Sequence, residues 1–303
     1  MQNVLLKAFS FVIIIALGYI LKHFGLFKEH EKSVLTRLLM NVTMPCALLV
    51  SFAGSAGSGL PVYAGIGALC TLSPLMLNFL LTFRHAKQDR AFCMLNASGY
   101  NIGCFALPFV QTFFSADAVV TTCMFDAGNA VLVTGGSYAI TNAALKLEKS
   151  NSALLVLKRL FSSVPFDTYV VILILSFAGI TLPQPLLTVL DPIAKANAFV
   201  AMFLIGMMLH LTVPKAKKGL VVRVVSTRIV FSLLFSLIFF FCTPFSLETR
   251  QTLCLLAFAP ASALAPIFSE KAGCDAGLSS FVNSITILIS IAAMLALILS
   301  TQG

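Results

Sequence analysis

Long runs without a charged residue alternate with short basic clusters along this chain. A helix needs about 20 apolar residues to cross the hydrocarbon core of a bilayer, so the uncharged runs measure candidate crossings. Lys7 to Lys22 encloses 14 such residues and Arg37 to Arg84 encloses 46, divided by the turn signal GSAGSGLP at 54–61. Arg90 to Asp117 encloses 26, Asp126 to Lys146 19, and Asp167 to Asp191 23. Lys195 to Lys215, Arg228 to Glu248 and Arg250 to Glu270 enclose 19 each, and 28 residues follow Asp275. The pattern predicts ten helices over 3–22, 32–53, 60–83, 92–112, 117–145, 168–182, 192–213, 219–242, 250–269 and 277–301.

Composition fixes the class. The chain has 303 residues, 59% hydrophobic and only 10% charged, against about 25% charged in an average soluble protein. Mean hydropathy is +0.99. A soluble enzyme, a disordered protein and a nucleic-acid-binding domain are excluded, and the expected fold is an all-α polytopic membrane protein. The first segment lacks a small-x-small cleavage site and reads as a retained helix.

The net charge of +9 is an orientation signal. Assigning basic residues to connections puts 17 of the 20 on the odd-numbered ones, among them Lys22, Arg84, Lys149, Arg159, Lys215, Arg223, Arg228 and Lys271. The positive-inside rule then places both termini outside. Nucleic acid is not needed to explain the charge. None of the eight cysteines forms a C-x-x-C pair and no P-loop is present, so metal, cofactor and a built-in ATP engine are not expected.

Ten helices divide at a basic linker, 147–166, into residues 1–146 and 167–303. Five is odd, so the second half enters from the opposite face. Such inverted repeats mark secondary transporters, with the site between repeats near the midplane. The fourth helix of each half carries helix breakers: NASGYNIGCFALPF at 96–109 and AFAPASALAPIF at 257–268. Broken helices persist in membranes where they line a cavity or pack within protein. Their half-helix N-termini carry partial positive charge, a seat for a carboxylate.

Four stretches resemble the auxin efflux carrier family in its bacterial, malonate-transporter-like branch: LGYILKHFGLF…LTRLLMNVTMPCALLVSF (17–52), NIGCFALPF (101–109), IAKANAFVAMFLIGMML (193–209) and LLAFAPASALAP (255–266). The resemblance implies two inverted five-helix repeats in which helices 4 and 9 cross as broken helices. It implies an elevator-type carrier of organic anions, with the first two helices of each half as scaffold and the last three as the mobile part. It also implies a homodimer in the plasma membrane, the inner membrane of a bacterial cell. The large central loop of the plant members has no counterpart here.

Candidate residues follow. Asn101 and Gly103 at the first break, and Pro260 and Ser262 at the second, are candidates to bind substrate. Asn41 carries part of the resemblance and reads as interhelical glue, with substrate contact as the alternative. Asp126 is the one carboxylate well inside a predicted span, with Asn129 three residues on and on the same face. Intramembrane carboxylates default to function. Asp126, Asn129 and the helix-ten Asn283 are therefore coupling candidates, with H+ or Na+ as the ion. Asp117 reads as an N-cap, and Asp191-Pro192 as a cap and first turn with Lys195 snorkelling to the interface. The rivals are a sodium-coupled carrier of related crossed-helix architecture, an intramembrane enzyme and a channel.

Overall fold

The computed structural model describes residues 2–28, 31–52, 60–147, 158, 160–212 and 217–302. Much of the linker, with Lys149 and Arg159, most of the 54–61 turn, and Lys215 lie outside the described residues. Everything described is helix or connection. Among the described residues, seven helices are long and apolar enough to cross a membrane: α1 (Val4–His23, beginning at Gln2), α2 (Lys32–Phe52), α3 (Pro61–Leu81, beginning at Leu60), α6 (Ala116–Leu145), α8 (Gln184–Met208), α9 (Lys218–Cys242) and α12 (Ala276–Thr301, ending at Gln302). Shorter helices among the described residues are α4 (Lys87–Ala97), α5 (Ile102–Phe113), α7 (Val164–Ala178), α10 (Leu247–Ala257) and α11 (Ala265–Lys271). The architecture is that of an all-helical, polytopic membrane protein.

Burial sorts the helices into two kinds. Residues 91–110 are buried without interruption, so α4 and most of α5 form an inner core, and residues 252–257 of α10 join them. The outer helices instead expose large apolar side chains, such as Leu6 and Phe9 on α1 and Leu237 and Phe241 on α9. An apolar outer surface of this kind suits lipid rather than water.

Close helix contacts depend on small residues, as expected where lipid removes the usual hydrophobic drive between helices. α3 lies against α6, and α1 lies against α8. A Cβ on Gly128 would sit 1.8 Å from the Ala64 carbonyl oxygen, and one on Gly206 2.0 Å from that of Ile15. Only glycine permits either backbone approach. Lys22, at the end of α1, donates to the Met207 and Leu209 carbonyls at 2.8 and 3.1 Å, capping the C-terminus of α8.

Several boundaries differ from the sequence expectation. The seventh predicted helix starts at Gln184 rather than 192, with Pro183 before it. Asp191 is therefore no N-cap and Pro192 lies inside the helix; Lys195 pairs with Asp191 one turn back at 2.6 Å. Asp117 is not the cap of α6 either. Ser115 is, its hydroxyl accepting from the Ala118 N–H. α7 begins at Val164, inside the stretch expected to be linker. Arg223 and Arg228, assigned above to a connection, lie within α9.

Candidate functional site

Both predicted breaks interrupt their helices. The first separates α4 from α5 at residues 98–101, where Gly99 takes a φ of 74° that favours glycine. The second separates α10 from α11 at residues 258–264. The two breaks meet. Tyr100 and Ala261 form an isolated antiparallel bridge, and the Asn101 N–H donates to the Pro260 carbonyl at 2.9 Å. Two segments more than 150 residues apart in sequence thus satisfy part of each other's backbone where hydrocarbon could not.

Side chains from neighbouring helices supply the rest. Asn129 on α6 accepts from the Tyr100 N–H at 3.0 Å and donates to the Tyr100 carbonyl at 2.9 Å. Its carbonyl oxygen also accepts from Thr71 at 2.9 Å, and its amide donates to Asp126 at 2.9 Å. Thr286 on α12 accepts from the Ala261 N–H at 3.1 Å and donates to the Asn283 carbonyl at 2.8 Å. Asn129 serves the first break and Thr286 the second; each bonds the residue three before it, Asn129 the Asp126 carboxylate and Thr286 the Asn283 backbone carbonyl.

The coupling candidates Asp126, Asn129 and Asn283 are all buried. Asp126 lies ten residues into α6, about 15 Å along its axis. Tyr169 on α7 donates to its second oxygen at 2.7 Å. Gly103, at the start of α5, faces the same carboxylate: a Cβ there would lie 3.5 Å from Asp126 Oδ2 and 2.5 Å from Met44 Cε. Asn283 Oδ1 has no hydrogen-bond partner among the described residues.

The substrate candidates are divided in position. Asn101 is buried at the mouth of α5, and its Nδ2 has no hydrogen-bond partner among the described residues. Ser262 accepts from the Leu264 N–H at 3.2 Å, so its oxygen caps the chain entering α11, and Pro260 contributes its carbonyl to Asn101. Asn41, the remaining candidate, lies outside both breaks. It is exposed on a π-helical turn of α2, Leu39–Thr43. It lines a cleft of about 340 Å³ with Thr134 of α6, Ser162 and Ser163 before α7, and Leu264 and Lys271 around α11. That cleft opens beside the second break. Asn197 on α8 bridges Thr43 of α2 at 3.1 Å and Gln111 of α5 at 2.9 Å.

A second cleft of about 250 Å³ lies at one end of α9, lined by Asp89, Lys217, Cys274 and Asp275. Lys217 is engaged with Asp89 at 2.6 Å, which holds the ammonium above its usual pKa. Burial pushes the Cys274 thiol up to about 11, so it stays protonated. The cation is matched by its own carboxylate, and this cleft has no surplus charge for an anion.

Sequence reasoning missed Arg228, Tyr169 and Thr286. Arg228 Nη1 donates to the Ala97 and Gly99 carbonyls at 3.0 and 2.9 Å, and Nη2 to Ala259 at 3.0 Å. A buried arginine ten residues inside an apolar helix was a visible signal, hidden by its assignment to a connection. Tyr169 and Thr286 carry no such signal, because aromatic and hydroxyl residues are ordinary within spans.

No family model matches the chain. Over 130 residues it is 25% identical to an uncharacterized transporter of Methanothermobacter thermautotrophicus, covering 41% of this chain and 43% of that protein. The match therefore spans less than half of the relative's length.

Proposed function

We propose that the protein is a secondary active carrier of small organic anions, mono- or dicarboxylates, working by elevator-type alternating access. The observation that carries this reading is the orphaned amide of Asn101. It sits where α5 begins, beside N–H groups that a helix start leaves unpaired and against the second break. A buried donor without a partner is costly, and a carboxylate placed there would satisfy it together with the dipole of α5.

On this reading the chain crosses the membrane ten times: seven long helices, α7, and the two broken pairs α4–α5 and α10–α11. Residues 1–146 and 167–303 are halves of opposite sense joined by 147–166. The matched positions Tyr100 and Ala261, Asn101 and Ser262, and Asp126 and Asn283 support that symmetry. α1, α2, α7 and α8 form the scaffold, and the other helices move with the site. Asn101, Gly103, Pro260 and Ser262 frame the substrate, Asn41 lines its approach, and Asp126 with Asn129 and Asn283 couples it to H+ or Na+. The likeness to an uncharacterized transporter supports transport in general; the family resemblance of 17–52, 101–109, 193–209 and 255–266 supports organic anions. The carrier sits in the plasma membrane as a homodimer with both termini outside. Export is favoured by about 2.3 kcal/mol per charge per 100 mV.

Proteoliposomes loaded with malonate, malate or an aromatic acid test the reading under imposed pH, sodium and voltage gradients. Saturable flux is expected. Asn101→Ala should raise the KM for malonate about tenfold, the worth of one hydrogen bond to a charged group. Sodium dependence would favour the sodium-coupled rival, and unsaturable conductance a channel. No flux of any acid would sink the proposal.

A further inference from the structure

Arg228 is 7% exposed and lies ten residues into α9, about 15 Å along its axis. A guanidinium at such depth is expensive. It makes no ion pair among the described residues. Its partners are instead the carbonyls that helix breaks orphan. Ala97 ends α4, Gly99 lies in the first break, and Ala259 lies just past α10. C-terminal carbonyls carry the negative end of each half-helix dipole. One planar fork spans both chain ends, which a lysine could not do. The guanidinium also lies over the Tyr100 ring, 5.1 Å from its centroid.

Asp126 reaches the same tyrosine from another helix, through Asn129. The Asn129 amide cannot be flipped, because the Tyr100 N–H requires its oxygen and the Tyr100 carbonyl its nitrogen. Asp126 Oδ1 is therefore an acceptor. The Tyr169 hydroxyl has no other partner among the described residues, so donating to Oδ2 leaves nothing unpaired. This is the bonding pattern of an ionised carboxylate.

We propose that Arg228 is the positioning residue of the anion site: it ties together the chain ends left by both breaks, and its charge, balanced across Tyr100 by Asp126, leaves the empty site neutral. The inference rests on the carrier reading for its ligand, though not for its charge pair. Removing Arg228 leaves an unbalanced negative charge that repels an anion. Removing both charges restores neutrality.

Binding of malonate to purified R228Q, D126N, R228Q/D126N and R228K, with ligand-free melting of each, tests this. R228Q should weaken malonate about tenfold or more, and R228Q/D126N should recover most of that loss. R228K keeps the charge and loses the fork, so it should melt lower and bind malonate more weakly than wild type but more tightly than R228Q. A double variant no better than R228Q, in both binding and melting, overturns the charge balance. Where R228Q alone does not fold, recovery of folded protein in the double variant supports the pairing and its absence overturns it. Coupled melting in a protein that binds no acid of the panel would keep the charge pair and overturn the carrier reading.

Discussion

Asn129 pairs with both backbone polar groups of Tyr100, accepting from its N–H at 3.0 Å and donating to its carbonyl at 2.9 Å. A side-chain amide has the donor and acceptor of a peptide group, so it replaces what the helix break removes. Asn129→Ala orphans both groups in a dry interior, at about 1–3 kcal/mol each. The expected outcome is a markedly lower melting temperature in detergent. Asn129→Asp sets a second carboxylate against Asp126 and the Tyr100 carbonyl, and should melt no higher than Asn129→Ala. Equal melting of Asn129→Ala and wild type would count against this account.

Tyr169 ties α7 to α6 through Asp126. Tyr169→Phe keeps the ring and deletes the hydroxyl, at a cost of about 1.5–3 kcal/mol for a hydrogen bond to a charged group. The loss should shrink in an Asp126→Asn background, because the two residues share one interaction. Four melting curves measure this, and additive losses would show that the bond contributes little.

Gly128 and Gly206 set how closely their helices approach. A Cβ at either lies within 2.0 Å of a facing carbonyl oxygen, on backbone that cannot step aside. Gly128→Val and Gly206→Val should abolish the monodisperse peak in size-exclusion chromatography. Gly219→Ala, with nothing within 4 Å, should leave it intact.

Lys195 is far less consequential. Its side chain is 76% exposed and pairs with Asp191 within one helix, where such pairs contribute about 0.3–0.5 kcal/mol. Lys195→Ala should change neither melting nor the KM for malonate beyond about twofold. A much larger rise in KM would give Lys195 a part in attracting the anion.

The positions of the two breaks were legible because their cause is local. Glycine and proline remove helical hydrogen bonds wherever they fall, and NASGYNIG and APASALAP concentrate polar and breaker residues inside apolar runs. Asp126 and Asn129 were legible for a similar reason: a carboxylate in an uncharged run is rare, and i, i+3 spacing shares a helix face. The start of α8 was misread because Asp191-Pro192 looks like a cap. Proline in a membrane helix is tolerated when neighbours satisfy the freed carbonyl, and neighbours are not local.

Arg228 marks where sequence reading ends. The sequence alone determined that the chain is apolar enough to reside in a membrane, roughly where its helices run, and which two of them break. Those properties depend on the solvent preference and backbone chemistry of residues near one another. That Tyr100 meets Ala261, that Asn129 and Thr286 each serve one break, and that Arg228 holds the ends of both were decided by tertiary structure. Each depends on which carbonyls and N–H groups are left unpaired at one point in space. A buried polar group takes its partner from whichever helix packs beside it, however distant in sequence.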